Sequence, residues 1–279
     1  MLYICATPIG NLSDITSRVV ETLREVDLIA AEDTRNSIKL LNHFDIKTPM
    51  TSYHEFNKYD KADELVMKMQ SGLNVALITD AGTPAISDPG EVLVKKCHDS
   101  GISVTSLPGA CACITALTLS GLSTRRFSFE AFLPSDKKER AAILEELKNE
   151  TRTIIIYEAP HHLLSTLKEL YDSLSDRNIT LCKELTKKFE SINRTTIKEA
   201  IEYYTENDPK GEFVLVIEGK SREEIKQEKI ASFDSISIEE HMEMYTSKGI
   251  DRKEAMKLVA KDRGITKRDV YQYLLELDK

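Results

Sequence analysis

No stretch of the chain approaches the ~18 consecutive apolar residues that a membrane-crossing helix needs. Its opening, MLYICATPIG, has no basic start and too short an apolar run for a signal peptide. That opening reads as the first core strand of a cytoplasmic protein. Cysteine is sparse, with Cys5, Cys97, Cys111, Cys113 and Cys182 as the five in the chain. An odd number at scattered spacing argues against a disulfide framework. Cys111-x-Cys113 has no His or second Cys pair beside it, so it reads as small buried thiols and no metal is expected. Two cofactor signatures are also missing. The first loop has Gly10 alone, with Pro8 where another glycine would sit, and it is not G-x-G-x-x-G. No G-x-x-x-x-G-K-[ST] loop occurs. A nicotinamide enzyme and a P-loop nucleotidase are both disfavoured. Excess positive charge is lacking too: the net charge is −8, which excludes a uniformly basic surface but not a local basic patch. Few exposed aromatics are evident as stacking platforms.

What is present is a folded composition. The 279 residues are 41% hydrophobic and 30% charged, enough for two domains of ordinary size. LYICAT (2–7) reads as a strand and Ile15 to Val26 as a helix capped by Ser13 or Asp14. DLIAAE (27–32) and Val75–Thr79 read as strands, with helices through Ile38–Leu41 and Lys61–Met69. Val92 to Ser100 reads as a helix ended by Gly101, ISVTSL (102–107) as a strand, and Ala110 to Ser120 as a helix of small residues. This alternation implies a mainly parallel sheet covered by helices. Composition changes near 115–135, after which the alternation restarts with TIIIYE, NITLCKE and EFVLVIEG. The division expected is 1–118, an α/β domain; 119–222, a second α/β domain; and 223–279, a small helical segment. In that segment EEIKQEKIAS reads as a charged connector. Asp251 caps a helix broken at Gly264, and Thr266 caps a last helix with Val270, Tyr271 and Leu274 inward, a helix-turn-helix-like pair.

Ligands of open parallel sheets sit beyond the carboxyl ends of the strands. Three loops marked by Gly and Pro fall there: ATPIGN (6–11), TDAGTPAISDPG (79–90) and LPGACA (107–112). Together they point to a cofactor crevice, since glycine admits close approach and Thr, Ser and free backbone N–H groups bond a ligand.

The stretches TPIGNLSDIT, AAEDTR, DAGTPAISDPG, YEAPHH and GEFVLVIEG resemble the tetrapyrrole-methylase superfamily. Within it they are similar to the small-subunit ribosomal RNA methyltransferase I family. The likeness spans roughly residues 2–219 and the helical tail. It departs at 108–112, which reads Pro-Gly-Ala-Cys-Ala, and at His162, where the family tends to carry Arg. The resemblance implies a two-domain α/β fold with S-adenosylmethionine in the cleft, bordered by Ile9, Gly10, Asp80, Gly82, Thr83, Ile86, Cys111, Ala112, Tyr157, Leu185 and Phe213. It implies methylation of the 2′-hydroxyl of a cytidine ribose in 16S rRNA, within the 30S subunit, by a homodimer. A ribose hydroxyl needs a base or a cation to stabilise its alkoxide. The candidates are Asp33 or Glu184 for the proton, and Arg35 and Lys187 for phosphate or oxyanion. Interdomain salt bridges or helix caps are the competing role for these four.

Residues 245–279 carry nine Lys or Arg against six Asp or Glu. Their net is thus +3 and the remainder of the chain is −11. Lys248, Arg252, Lys253, Lys257, Lys261, Arg263, Lys267 and Arg268 are candidates to follow RNA phosphates. The other readings are a tetrapyrrole C-methyltransferase and a non-catalytic RNA-binding assembly factor.

Overall fold

The computed structural model describes residues 1–277; Asp278 and Lys279, both in the charge count above, lie outside the described residues. The chain divides into two compact units, 1–147 with 152–218, and 148–151 with 219–279. None of the described helices is long and apolar enough to cross a membrane.

The first unit holds two five-stranded sheets. In the first sheet, β1 (Leu2–Cys5), β2 (Leu28–Ala31), β3 (Met50–Ser52), β4 (Val75–Ile78) and β5 (Val104–Leu107) take the order β3-β2-β4-β1-β5. Every pairing is parallel. Helices α1 (Ser17–Glu25), α2 (Thr34–His43), α3 (Lys58–Gln70) and α4 (Gly90–Asp99) cover both faces. Alternation along each strand sorts the core. Leu2, Ala30 and Leu77 meet Leu65, Met69 and Leu93 on one side. Cys5, Ile29 and Ile78 meet Val19, Leu23 and Leu41 on the other. β4 is buried on both faces, as the central strand of a doubly covered sheet must be.

The second sheet runs β6-β7-β10-β8-β9, from β6 (Phe127–Phe132), β7 (Thr153–Glu158), β8 (Asn178–Lys183), β9 (Ser191–Thr196) and β10 (Phe213–Ile217). Only β6 and β7 pair in parallel. β7 with β10, β10 with β8, and β8 with β9 are antiparallel. The restart of alternation in the sequence therefore does not continue a parallel sheet. α6 (Lys137–Leu147), α7 (Pro160–Leu174) and α8 (Ile197–Glu206) cover one face through Leu144, Leu163, Leu167, Leu170 and Ile197. The other face is covered by α5 (Ala112–Ser120), whose Cys113, Ala116 and Leu117 pack on Ile155, Cys182, Val214 and Val216. The boundary expected at 118 falls inside this helix, which joins the second core.

Several local expectations change. The helix expected over 15–26 begins at Ser17, because Thr16 rather than Ser13 or Asp14 accepts the Val19 N–H. Leu12–Asp14 forms a separate 3₁₀ turn. β6 and β9 were not expected at all.

The second unit is helical: α9 (Arg222–Ala231), α10 (Ile238–Thr246), α11 (Arg252–Arg263) and α12 (Lys267–Leu277). The expected charged connector is α9, made stable by a Ser221/Glu224 capping box. Met242, Ala255, Val259, Ala260 and Val270 form a small core. Asp251 caps α11 through the N–H groups of Lys253 and Glu254, and Gly264 ends it in the left-handed region. Tyr271, expected inward, is 53% exposed.

Candidate active site

Two loops of the first sheet are fastened to each other before any ligand is considered. Thr7 and Gly82 form an isolated antiparallel bridge, with N–H to oxygen distances of 2.8 and 3.1 Å. The Thr7 hydroxyl donates to the Thr79 carbonyl at 3.0 Å. Gly82 has φ +90°, where a side chain is strained, and a Cβ there would meet Ile9 Cγ2 at 3.3 Å. The third loop joins them, since the Thr83 hydroxyl donates to the Ala110 carbonyl at 2.9 Å.

These loops face one edge of the second sheet. The antiparallel registers bring Tyr157 and Glu158 at the end of β7, Phe213 at the start of β10 and Lys183 at the end of β8 to that edge. At β6 the register shifts between Phe129 and Phe132, and Ala131 takes φ +53°. That bulge aims Phe132, which packs edge-on against Tyr157.

The cavity between has a volume of about 420 Å³ and is lined by residues of both sheets. Ile9, Gly82, Thr83, Ile86, Cys111, Ala112, Tyr157, Leu185 and Phe213, all expected to border a cofactor, line it. Gly10 and Asp80 do not. Gly10 is pressed against the Leu185–Lys187 segment, where a Cβ would fall 2.9 Å from the Leu185 carbonyl oxygen. Asp80 lines a separate cavity of about 230 Å³ with Asn36 and Ser37, and accepts from Asn36 Nδ2 at 3.0 Å.

The four candidates for proton transfer and charge stabilisation separate as well. Lys187 lines the cavity. Its ammonium sits 2.9 Å from both Glu184 and Glu212. Burial acts to lower its pKa, and the two carboxylates outweigh that and raise it. Glu184 is absent from the lining. Its carboxylate accepts the Glu212 N–H at 3.0 Å as well as the lysine, and these bonds hold it below the usual range. Asp33 and Arg35 lie on neither cavity's lining. They form a two-pronged pair at 3.0 and 2.7 Å, and Asp33 also caps α2. The Arg35 hydrogen bonds hold the Asp33 carboxyl down at about 2, a weak base.

The residue that sequence reasoning missed is Asp88. It lines the cavity, and burial first, then the charges of Glu32 and Asp80, raise its pKa to about 6 against the pull of Thr79. Its signal was in plain view as the only acid of the A-I-S-D-P-G half of the loop. Its loop is pinned, since Tyr53 Oη donates to the Pro89 carbonyl at 2.9 Å. Both Ala85 and Ser87 take φ +68°.

At the start of α5 the Cys113 N–H donates to Tyr157 Oη at 3.0 Å. Burial raises the pKa of that phenol, which therefore stays protonated. The Cys111 and Cys113 sulfurs are 3.4 Å apart. The Cys113 thiol and the backbone N–H groups at the helix start favour the Cys111 thiolate over an ordinary thiol.

Loops at the strand ends of two sheets thus enclose one cavity, and the family comparisons give the class of protein that this arrangement belongs to. The family model of Tetrapyrrole (Corrin/Porphyrin) Methylases matches residues 1–201. Solved structures of low identity share the fold. Diphthine synthase aligns with TM-score 0.59 at 13% identity, over 78% of this chain and 89% of its own. The uroporphyrin-III-C-methyltransferase of Thermus thermophilus aligns with TM-score 0.55 at 15% identity, over 77% and 93%. The chain belongs to the ribosomal RNA small subunit methyltransferase I family within that group, and is a methyltransferase. Its relative of that name in Synechocystis sp. is 48% identical over 279 residues, covering 100% of this chain and 98% of the relative. The one in Bacillus subtilis is 47% identical over 271 residues, covering 97% and 92%.

Proposed function

We propose that this chain transfers a methyl group from S-adenosylmethionine to the 2′-hydroxyl of a cytidine in 16S rRNA, with the small ribosomal subunit as substrate and the cytoplasm as its place of action. The observation that carries the reading is the two-sided cavity. Nine of the eleven residues expected to border the donor line it, in a chain 48% identical to a relative named for that RNA.

The cavity suits such a donor. Ile9, Ile86, Leu185 and Phe213 offer apolar walls, while Thr83, Ser87 and the N–H groups opening α5 offer hydrogen bonds. When bound, S-adenosylmethionine supplies a methyl on a good leaving group. The protein's main task is then alignment, worth up to ~7–11 kcal/mol when geometry is ideal. Asp88 takes the proton of the incoming ribose hydroxyl, because it is the carboxyl in the cavity with a pKa near the working range. Lys187, held by Glu184 and Glu212, steadies the developing oxyanion. Glu184 thus positions the lysine. Asp33 and Arg35, neutralising each other outside the cavity, serve α2 and the RNA-facing surface instead. We carry the expectation of a homodimer, which light scattering of the purified chain checks.

The test is incubation of methyl-labelled donor with small subunits lacking the modification, followed by mapping of the label. Label on the 2′-oxygen of one cytidine is expected. Label on a base, or none on RNA despite donor binding, overturns the reading.

A further inference from the structure

The five cysteines are all free, but they are not alike. Cys5, Cys97 and Cys182 have no exposed surface. Burial pushes their thiols up, to about 12, about 11 and about 12, which makes them poor nucleophiles. Cys182 borders the cavity between the sheets from within the core. The remaining two were expected as small buried thiols, and only one of them is. Cys113 is 4% exposed. Cys111 is half-buried and lines the cavity beside Ala112.

Cys111 owes its character to its place. It is the extended residue just before α5, with φ −146° and ψ 112°, where the first N–H groups of the helix lack intrahelical partners. The Cys113 sulfur lies 3.4 Å from its own. That thiol and the N–H groups favour a thiolate at Cys111. An accessible thiolate in contact with a second thiol is the pairing in which an oxidised first sulfur is captured by its neighbour. The pair is also wired to the opposite wall. The Cys113 N–H donates to Tyr157 Oη at 3.0 Å, and Tyr157 lines the same cavity.

We propose that Cys111 and Cys113 are an oxidation site, forming a reversible disulfide when a hydroperoxide enters the cavity, and that this bond closes the cavity to the methyl donor. The Cys111 thiolate attacks the peroxide: an S–O bond forms, the O–O bond breaks and hydroxide leaves. The Cys113 thiol then attacks the Cys111 sulfur. The S–S bond forms, the S–O bond breaks, and the hydroxyl departs with the thiol proton as water. Each sulfur has lost one electron and the peroxide has gained two. A dithiol reverses the bond by exchange. A disulfide holds its sulfurs about 2.05 Å apart, so Cys111 is drawn off the cavity wall towards the core and the start of α5 shifts against Tyr157. The closing step rests on the donor-cavity reading and deepens it, by giving that site a regulator. A bound donor in turn covers Cys111 and shields it.

The test treats the full chain with hydrogen peroxide, maps the cysteines by mass spectrometry and measures S-adenosylmethionine binding by calorimetry. Loss of two hydrogens is expected in the peptide holding Cys111 and Cys113, while Cys5, Cys97 and Cys182 stay reduced. Donor affinity is expected to fall by about tenfold or more, dithiothreitol to restore it, and saturating donor to slow the oxidation. C113S is expected to stop at a sulfenic acid on Cys111, captured by dimedone, with no disulfide. The proposal is overturned if the wild-type pair stays reduced until the buried cysteines react, or if the oxidised chain binds the donor as tightly as the reduced one. A reduced chain that binds no donor overturns instead the functional reading and the closing of the site with it, and the mapped disulfide then stands alone as the modification.

Discussion

Asp88 and Asp33 are both aspartates at strand-end loops of one sheet, yet their carboxyls are driven in opposite directions, to about 6 and about 2. The difference is company: buried among acids in one case, chelated by a guanidinium in the other. With Asp88 as base, the rate of methyl transfer falls as pH drops through about 6. D88N is expected to lower single-turnover rates by about 10²–10⁴ and to abolish that acidic limb, with donor affinity retained. A D88N enzyme with a wild-type pH profile excludes the role. Linkage gives a second readout. A carboxyl with a raised folded pKa favours the folded state at low pH, and that stability is lost as pH rises from about 4 to about 6. D88N should therefore be the more stable protein at pH 7, by about 1 kcal/mol once solvent screening of a partly buried group is allowed for. The gain should vanish near pH 4 in thermal melts. Lys187→Met, by contrast, is expected to cut the rate at saturating donor and substrate while leaving the acidic limb in place.

Among the elements, the loop around Gly82 and the cap of α11 answer to different measurements. Gly82→Ala meets both a positive φ and the Ile9 side chain, so calorimetry should show donor affinity reduced at least tenfold. Asp251→Ala removes an N-cap with two accepted bonds, and about 1 kcal/mol of helix stability with it. Its effect should appear in denaturant unfolding followed at the tail and leave donor affinity alone. In the first sheet β1, β4 and β5 were readable because each is a short strand closed by a loop marked with Gly and Pro, and β2 because LIAA is an apolar run. The strand directions of the second were not legible, because Ile179–Cys182 and Phe213–Ile217, buried on both faces, look the same whether their neighbours run parallel or antiparallel. β9, SINRTT, is an edge strand with no apolar face to betray it. The cavity's apolar and small residues were legible as motifs. Asp88 was not, because its chemistry depends first on burial and then on the charge of Glu32, which the fold alone brings to it. Nor was Lys187's grip on Glu212, 25 residues away.

For the whole molecule, the division into a two-sheet unit and a helical unit predicts separable functions. Removal of residues 222–279 is expected to leave donor affinity within about twofold while 16S rRNA affinity collapses, both read on the same preparation. Loss of donor binding in the shortened chain would show that the helical unit is needed to build the cavity.

The contact of Gly10 with the Leu185–Lys187 segment has a mechanical meaning. The bridge at Thr7 and Gly82 makes one stiff rim of two strands' loops, and Gly10 is where that rim leans on the opposite lobe with no side chain to spare. A single methyl at position 10 would act as a wedge, prising the lobes apart where a Cβ finds no room between them. The jaw would then be held ajar and the Lys187 stem, whose Cγ such a methyl would strike, pushed aside, so methyl transfer would fail although Asp88 was untouched.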